Sequence, residues 1–424
     1  MNTNWIKTSL GELQRNGRAS VQTGPFGTML KAAEYSNFGV PVISVGEIQS
    51  GYLLISDRTP KVSDSTKKRL PQFVLKAGDI VFGRKGAINR NAIVGEDQAG
   101  WFLGSDGIRL RLSDDIDSVF VSYQFRSSAV GKWLLQNSSG SIMPSLNQKI
   151  LDRLPIWLPN TGEQQKIAAV LSAFDAKIDC NNRINAELEA MAKTLYDYWF
   201  VQFDFPDQNG RPYKSSGGKM VYNPTLKREI PAGWEDSSIL AVADLLGGGT
   251  PTKKKPEYWN GAIPFFTPTD ADGSIYKFAT ADYITEEGLR KSSTKLFGKN
   301  TVFITARGSV GKLVLAGVDM AMNQSCYALQ AKSGISHTYL FFLTRELIHH
   351  LEVKSSGSVF NSIVSNDIEF TKLAIPDTAV VERFAAVVES AFQRIANNTL
   401  ENQHLTQLRD WLLPMLMNGQ VTVE

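Results

Sequence analysis

A chain of 424 residues exceeds what one ordinary core organises, so two or more domains are expected. With 42% hydrophobic and 21% charged residues it has a globular composition, and no run of about 18 or more apolar residues marks a membrane-spanning helix. The net charge of +3 divides as +6 over residues 1–160, −3 over 161–205, +2 over 206–379 and −2 over 380–424. Two basic stretches, which attract phosphate, thus alternate with acidic ones, although ordinary scatter accounts for the same values.

In chain order, the opening MNTNWIKTSLGELQ lacks the apolar core of a secretory signal. Short β-type runs follow at 40–45, 79–83 and 107–112, separated by Gly, Pro, Asn and Asp turns. An aromatic amphipathic segment, 119–136, predicts a helix. From 163 to 200 there is neither Pro nor Gly, and Thr161 is available as a cap, so one long helix is expected. Its seam runs Ile167, Leu171, Phe174, Ile178, Asn181, Asn185, Leu188, Ala192, Leu195, Trp199. That is a 3.5-residue period over about five heptads, as a coiled coil requires. About 38 residues at 1.5 Å each make a rod of roughly 55 Å.

The second half follows the same plan, with β-type runs at 263–267, 301–305 and 325–330, then an amphipathic segment at 337–353. A second long helix carries the seam Phe384, Val388, Ala391, Ile395, Asn398, Asn402, Leu405, Arg409, Leu412, Leu416. The halves are copies. Ser139-Gly140-Ser141-Ile142-Met143-Pro144-Ser145-Leu146 recurs as Ser356-Gly357-Ser358-Val359-Phe360-Asn361-Ser362-Ile363, and this offset of 217 holds without a gap to the end. Upstream, Val81-Phe82 with Lys85-Gly86 resembles Val302-Phe303 with Arg307-Gly308, and Trp5 answers Trp234. A repeat above 200 residues is a duplicated domain rather than a solenoid unit.

The expected fold class is therefore mixed α/β with duplicated domains. Residues 1–160 form one globe, 161–205 a spacer helix, 206–379 a polar linker and second globe, and 380–424 a second helix and tail. Asn181 and Asn185 recur as Asn398 and Asn402 at the same seam positions, where polar residues fix register. This favours two helices paired as an antiparallel coiled coil over two helices each packed on its own globe.

The order of motifs along the whole chain is similar to the specificity-subunit family of type I restriction-modification systems. Thr23-Gly24-Pro25-Phe26-Gly27 with Leu30-Lys31 resembles the family's TGPFGS-LK opening. Ile230-Pro231-Ala232-Gly233-Trp234-Glu235 resembles its LPEGWE junction, and Gly248-Gly249-Thr250-Pro251 followed by Pro256-Glu257-Tyr258-Trp259-Asn260-Gly261 its GGTPS-NPEYWNG run. Glu163-Gln164-Gln165-Lys166-Ile167-Ala168 and Leu412-Leu413-Pro414 resemble the start of the spacer helix and the C-terminal ending. The second helix departs from the pattern, opening Val380-Val381-Glu382 and carrying Arg409 at its seam.

The resemblance implies two target recognition domains on two long helices, with no catalysis by this chain. It implies as partners double-stranded DNA, two methyltransferase subunits and two restriction-translocation subunits. S-adenosylmethionine, ATP and Mg are expected in those partners and no cofactor in this chain.

The residues agree with a non-catalytic chain. Cys180 and Cys326 make no disulfide framework, four histidines give no zinc spacing, and a reducing cytoplasm is expected. There is no Asn-Pro-Pro-aromatic motif; Asn223-Pro224-Thr225 is a partial match and reads as a turn. Gly247-Gly248-Gly249-Thr250 lacks the end of a phosphate loop and reads as a flexible turn. Pro206-Asp207 and Pro376-Asp377 are not followed by a strand bearing nuclease carboxylates, and His349-His350 sits on an amphipathic helix.

For DNA contact, Arg84-Lys85-Gly86 with Arg90 has its counterpart in Arg307-Gly308 with Lys312, and glycine admits close backbone approach to phosphate. Thr23, Phe26 and Lys31 in the first globe, and Lys253, Lys254 and Lys255 in the second, complete the candidate set. The expected target is bipartite and asymmetric, one half-site per globe, with the helices setting the spacer. The alternative is a stand-alone two-domain DNA-binding regulator.

Overall fold

The computed structural model describes residues 5–139, 144–354 and 361–423. Most of the repeated Ser-Gly-Ser segment, at 140–143 and 356–360, lies outside the described residues. The chain divides into two compact units, Met1–Lys177 with Leu405–Glu424, and Ile178–His404.

In the first unit, strand Ile6–Ser9 pairs antiparallel with Pro155–Leu158, the strand that leads into the long helix. An antiparallel sheet runs Ala19–Thr23, Gly107–Leu112, Ile80–Gly83, Asn91–Ile93. Ile80–Gly83 is buried at every position, which is why it reads as an unbroken apolar run rather than an alternation. A second sheet runs Tyr35–Ser36, Lys61–Val62, Val40–Ile43, Phe102–Leu103, the last pair parallel. Phe82, Phe120, Phe125 and Leu151 centre one core, and Val42, Phe73 and Phe102 a second.

The second unit repeats this plan. Strand Glu235–Ser237 pairs with Leu373–Ile375. One sheet runs Ala243–Gly247, Cys326–Ala331, Val302–Thr305, Leu313–Ala316, and gains an edge strand, Tyr276–Lys277. The other runs Asp282–Ile284, Trp259–Phe266, Ala321–Met322, again with a parallel pair.

Three local expectations are corrected. The helix expected over 119–136 is two, Ser118–Arg126 and Ser128–Asn137. Ser127 between them has extended backbone (φ −63°, ψ 147°), and its Oγ accepts from Val130 N at 3.4 Å to cap the next helix. The second copy carries Glu346, no cap, after Arg345, and His337–Lys354 continues unbroken. The first long helix is capped by Asn160 rather than Thr161, since Glu163 N donates to Asn160 Oδ1 at 3.0 Å while the Thr161 hydroxyl donates to Asp115 O. The segment read as a polar linker is ordered. Met220–Asn223 and Arg228–Pro231 form a hairpin, and Phe205 stacks between Tyr213 (4.7 Å) and Trp234 (5.3 Å) inside the core of the second unit.

The long helices are Thr161–Tyr196, extended by a π turn at Asp197–Val201, and Thr378–Met417. Both contribute to both units. Within the second unit they run antiparallel, because Asn181 meets Asn402 while Asn185 meets Asn398.

Candidate nucleic-acid interface

In the first unit, the chain leaves Ala19–Thr23 at Gly24, where a Cβ would fall 1.8 Å from Gly104 O; only glycine allows that approach. Gly24 N donates to Gly107 O at 3.0 Å, so the loop bearing Phe26 lies against residues 104–107. The same 104–107 segment holds the turn after Ile80–Gly83, with Arg84 N donating to Asp106 O at 2.8 Å. Leu146 N donates to Arg84 O (2.8 Å) and Ile88 N to Gly86 O (2.8 Å), with Gly86 in the left-handed region at φ 73°.

The second unit repeats the main backbone relations of this arrangement. A Cβ on Gly248 would lie 2.1 Å from Asn323 O. Ala306 N donates to Ser325 O (2.8 Å), Ile363 N to Ala306 O (2.9 Å) and Val310 N to Gly308 O (2.9 Å), with Gly308 at φ 86°. Lys85 bridges to Ser145 as Arg307 bridges to Ser362. The turn expected to be flexible at Gly248-Gly249 is instead tightly packed, since a Cβ on Gly249 would lie 2.2 Å from Ser293 Oγ.

On this frame the first unit gathers three of the nominated side chains. Phe26 is 50% exposed, the Arg84 guanidinium lies 4.5 Å over its ring, and Lys85 Nζ is 3.6 Å from the Asp106 carboxylate. Thr23 is half-buried at the strand end, and its carbonyl accepts from the Gln22 amide. Lys31 and Arg90 are exposed, without an ion pair among the described residues.

In the second unit Arg307 is exposed beside the 323–325 loop, and Thr250 of the glycine loop hydrogen-bonds Gln324. Lys253 reaches over the Trp259 ring (5.7 Å), Lys254 is exposed, and Lys255 Nζ donates to Tyr258 Oη at 3.1 Å, which raises its pKa. Lys312 is exposed along its stem, with its Nζ donating to Ala271 O at 2.7 Å.

One duplicated feature escaped the sequence reading. Ser44 N donates to Glu47 Oε2 (3.0 Å) and Thr267 N to Asp270 Oδ2 (2.8 Å), so each copy supports its basic turn on a capped loop. A Cβ on Gly83 would meet Val45, and one on Gly308 would meet Pro268. The signal was a Ser/Thr-x-x-acid spacing directly after an apolar strand.

Every nominated seam residue is buried or half-buried: Leu171, Phe174, Ile178, Asn181, Asn185, Leu188 and Leu195 on one helix, Val388, Ile395, Asn398, Asn402, Leu405 and Leu412 on the other. Asn181 Nδ2 donates to Asn402 Oδ1 and Glu401 Oε2 (both 2.8 Å), and Asn398 Nδ2 to Asn185 Oδ1 (2.9 Å). In the first unit Arg409 finds Asp175 at 2.6 Å, and that carboxylate also receives the Tyr123 hydroxyl (2.6 Å) and Arg126 (3.2 Å).

The carboxyls flagged in the sequence serve the backbone. Asp207 accepts from Asn209 N and Arg211 N, and Asp377 caps the second long helix through Val380 N. His349 is exposed and His350 half-buried, with burial lowering the His350 pKa. Among the described residues no group of three or more His, Cys, Asp or Glu is placed to hold a metal, and no helix is long and apolar enough to cross a membrane.

The family model for the type I restriction modification DNA specificity domain matches residues 23–190 and 231–407. The chain belongs to this family. The specificity subunit of the type I restriction enzyme MjaIX from Methanocaldococcus jannaschii is 26% identical over 400 residues, covering 93% of this chain and 89% of the relative. That of EcoR124I/EcoR124II from Escherichia coli is 32% identical over 260 residues, covering 59% and 57%. The crystal structure of the type I system S subunit from M. genitalium shares the fold, with a TM-score of 0.56 at 15% identity over 98% of this chain and 96% of that one. Each matched segment of this specificity subunit contains one glycine-loop, basic-turn face and most of one long helix.

Proposed function

We propose that this specificity subunit reads a bipartite, asymmetric DNA target, one half-site per domain, through the loop face built around Arg84-Lys85-Gly86 and Ala306-Arg307-Gly308. The observation that carries the reading is the duplication of that face. Five backbone relations recur at the same places in both copies, each presenting a basic residue beside a left-handed glycine. A fixed backbone turn that presents a cation beside a glycine fits phosphate, and side chains around it reach base edges.

The two copies carry different side chains at this face, which suits two different half-sites. The antiparallel helices fix their separation and offer the surface for two methyltransferase subunits and the restriction-translocation subunits. S-adenosylmethionine, ATP and Mg belong to those partners, and the chemistry of the complex is adenine-N6 methylation or ATP-dependent cleavage. This chain contributes recognition and no reacting group.

The test is methylome sequencing of the host with and without this gene. A split N6-methyladenine motif that disappears with the gene is expected. An unchanged methylome in a host expressing the partner subunits refutes the reading.

A further inference from the structure

The duplicated face allows each side chain on it to be compared with its counterpart in an equivalent backbone. Because Leu146 N→Arg84 O matches Ile363 N→Ala306 O, and Ile88 N→Gly86 O matches Val310 N→Gly308 O, Arg84 corresponds to Ala306 and Lys85 to Arg307. One position, Lys85 and Arg307, is basic in both copies, and the position before it only in the first. A contact that both domains need regardless of sequence is a phosphate contact; a contact one domain makes and the other omits is where two half-sites are told apart.

The side-chain physics of Arg84 agrees. Its guanidinium carbon lies 4.5 Å over the half-exposed Phe26 ring, and no carboxylate lies within ion-pair distance among the described residues. Lys85 beside it faces Asp106 at 3.6 Å. A ring contact of this kind uses none of the guanidinium's N–H groups as hydrogen-bond donors to oxygen or nitrogen, so they are left for a further acceptor. It also restricts a side chain that otherwise loses much rotamer entropy on binding. A planar, pre-oriented fork of donors matches the O6 and N7 acceptors of guanine.

We propose that Arg84 reads a guanine in the half-site of the first domain, with Phe26 as its positioning residue, while Lys85 and Arg307 hold phosphates. The proposal rests on the DNA-reading role argued above.

The test uses the complete methyltransferase complex in cells, carrying Arg84→Ala, Arg84→Lys, Phe26→Leu or Lys85→Ala, with the methylome sequenced in each. The half-site of the first domain is the one that changes when residues 1–160 are exchanged for those of another family member. Arg84→Ala and Arg84→Lys are expected to lose discrimination at one guanine of that half-site, by about 5- to 150-fold, as the loss of a bidentate base contact implies. Phe26→Leu relaxes the same position less. Lys85→Ala leaves the motif intact and weakens binding to all sequences alike.

The unchanged second half-site reports that each variant complex is folded and assembled. An Arg84→Ala complex that keeps the full motif but binds uniformly more weakly makes Arg84 a phosphate contact and overturns the proposal. So does relaxation confined to the second half-site. If the unaltered complex shows no split motif, the underlying DNA-reading role fails instead, and this proposal with it.

Discussion

Replacing Asn181 with leucine probes the paired helices most directly. Asn181 is fully buried, and its amide donates to Asn402 Oδ1 and Glu401 Oε2 at 2.8 Å each. Asn402 passes the chain on to Asn182 at 2.8 Å. Asn181→Leu leaves the Asn402 carbonyl in the seam without its donor, while Glu401 and Asn182, both exposed, are resolvated by water. Depriving a buried acceptor costs about 1–3 kcal/mol, an upper bound for the half-buried Asn402, whereas replacing both partners by apolar groups is close to neutral or stabilising. The single variant should therefore destabilise and Asn181→Leu with Asn402→Leu should recover. Hydrogen–deuterium exchange of the helix segments around 178–190 and 395–404 reads this locally. The single variant should exchange about 5- to 150-fold faster than wild type, and the double variant close to wild type. A single variant as protected as wild type, or a double variant worse than the single, would refute the buried amide pairing.

Gly24→Ala should unfold the first interface face, because backbone at 1.8 Å cannot be accommodated, and Gly248→Ala should do the same in the second; methylome sequencing should show one half-site lost in each case. Gly86→Ala, with nothing within 4 Å of its Cβ, should cost only the left-handed backbone penalty of about 1–2 kcal/mol, read by thermal unfolding. Lys85→Ala and Arg307→Ala should each lower the slope of log affinity against log salt by about one, and an unchanged slope would remove that residue from the phosphate contacts. Burial opposes the ionised Asp175 carboxylate, but the Tyr123 and Arg409 hydrogen bonds and the Arg126 and Arg409 charges outweigh it and hold its pKa below the ordinary value. A depressed acid contributes stability that is present above its unfolded pKa of about 3.9 and lost as pH falls through the folded value. Asp175→Asn should therefore be less stable than wild type at pH 7, with the gap closing below about pH 4; a gap independent of pH would refute the ion pair.

Much of the fold was legible because its signals are local and periodic. The central strands Ile80–Gly83 and Val302–Thr305 are buried at every position, so an apolar run sufficed to find them. The long helices follow from an unbroken 3.5-residue seam, and the recurrence of Asn181 and Asn185 at the same offset pointed to their partners. What stayed hidden depends on tertiary distance. Nothing near Arg409 in sequence reveals Asp175, 234 residues away, and nothing near Gly24 reveals the Gly104 carbonyl that forbids a side chain there. The break at Ser127 and the cap at Asn160 were each decided by which nearby oxygen the folded backbone placed within reach of an N–H.

The two copies diverge where no reciprocal contact ties one to the other. At the seam centre the relation is reciprocal: Asn181 meets Asn402, and their counterparts Asn398 and Asn185 meet each other, so a change in one copy would break a contact made by the other. One heptad outward that constraint is absent. Asp175 of the first unit binds Arg409 and Arg126, whereas its counterpart Phe392 sits among Tyr276, Phe341 and Phe342, and the counterpart of Arg409 is the buried Ala192. Arg126 over Tyr123 and Arg345 over Phe342 keep the same cation–ring contact beside these two different surroundings. Each helix is thus fastened to its own domain by independent chemistry, polar in one unit and aromatic in the other, while the register between the helices is shared. Deleting one heptad from both helices at matching levels, about 10 Å of rise, should accordingly change the spacer of the target and leave both half-sites intact. Altered half-sites in that variant would show that the domains depend on the helices for their reading surface as well as for their spacing.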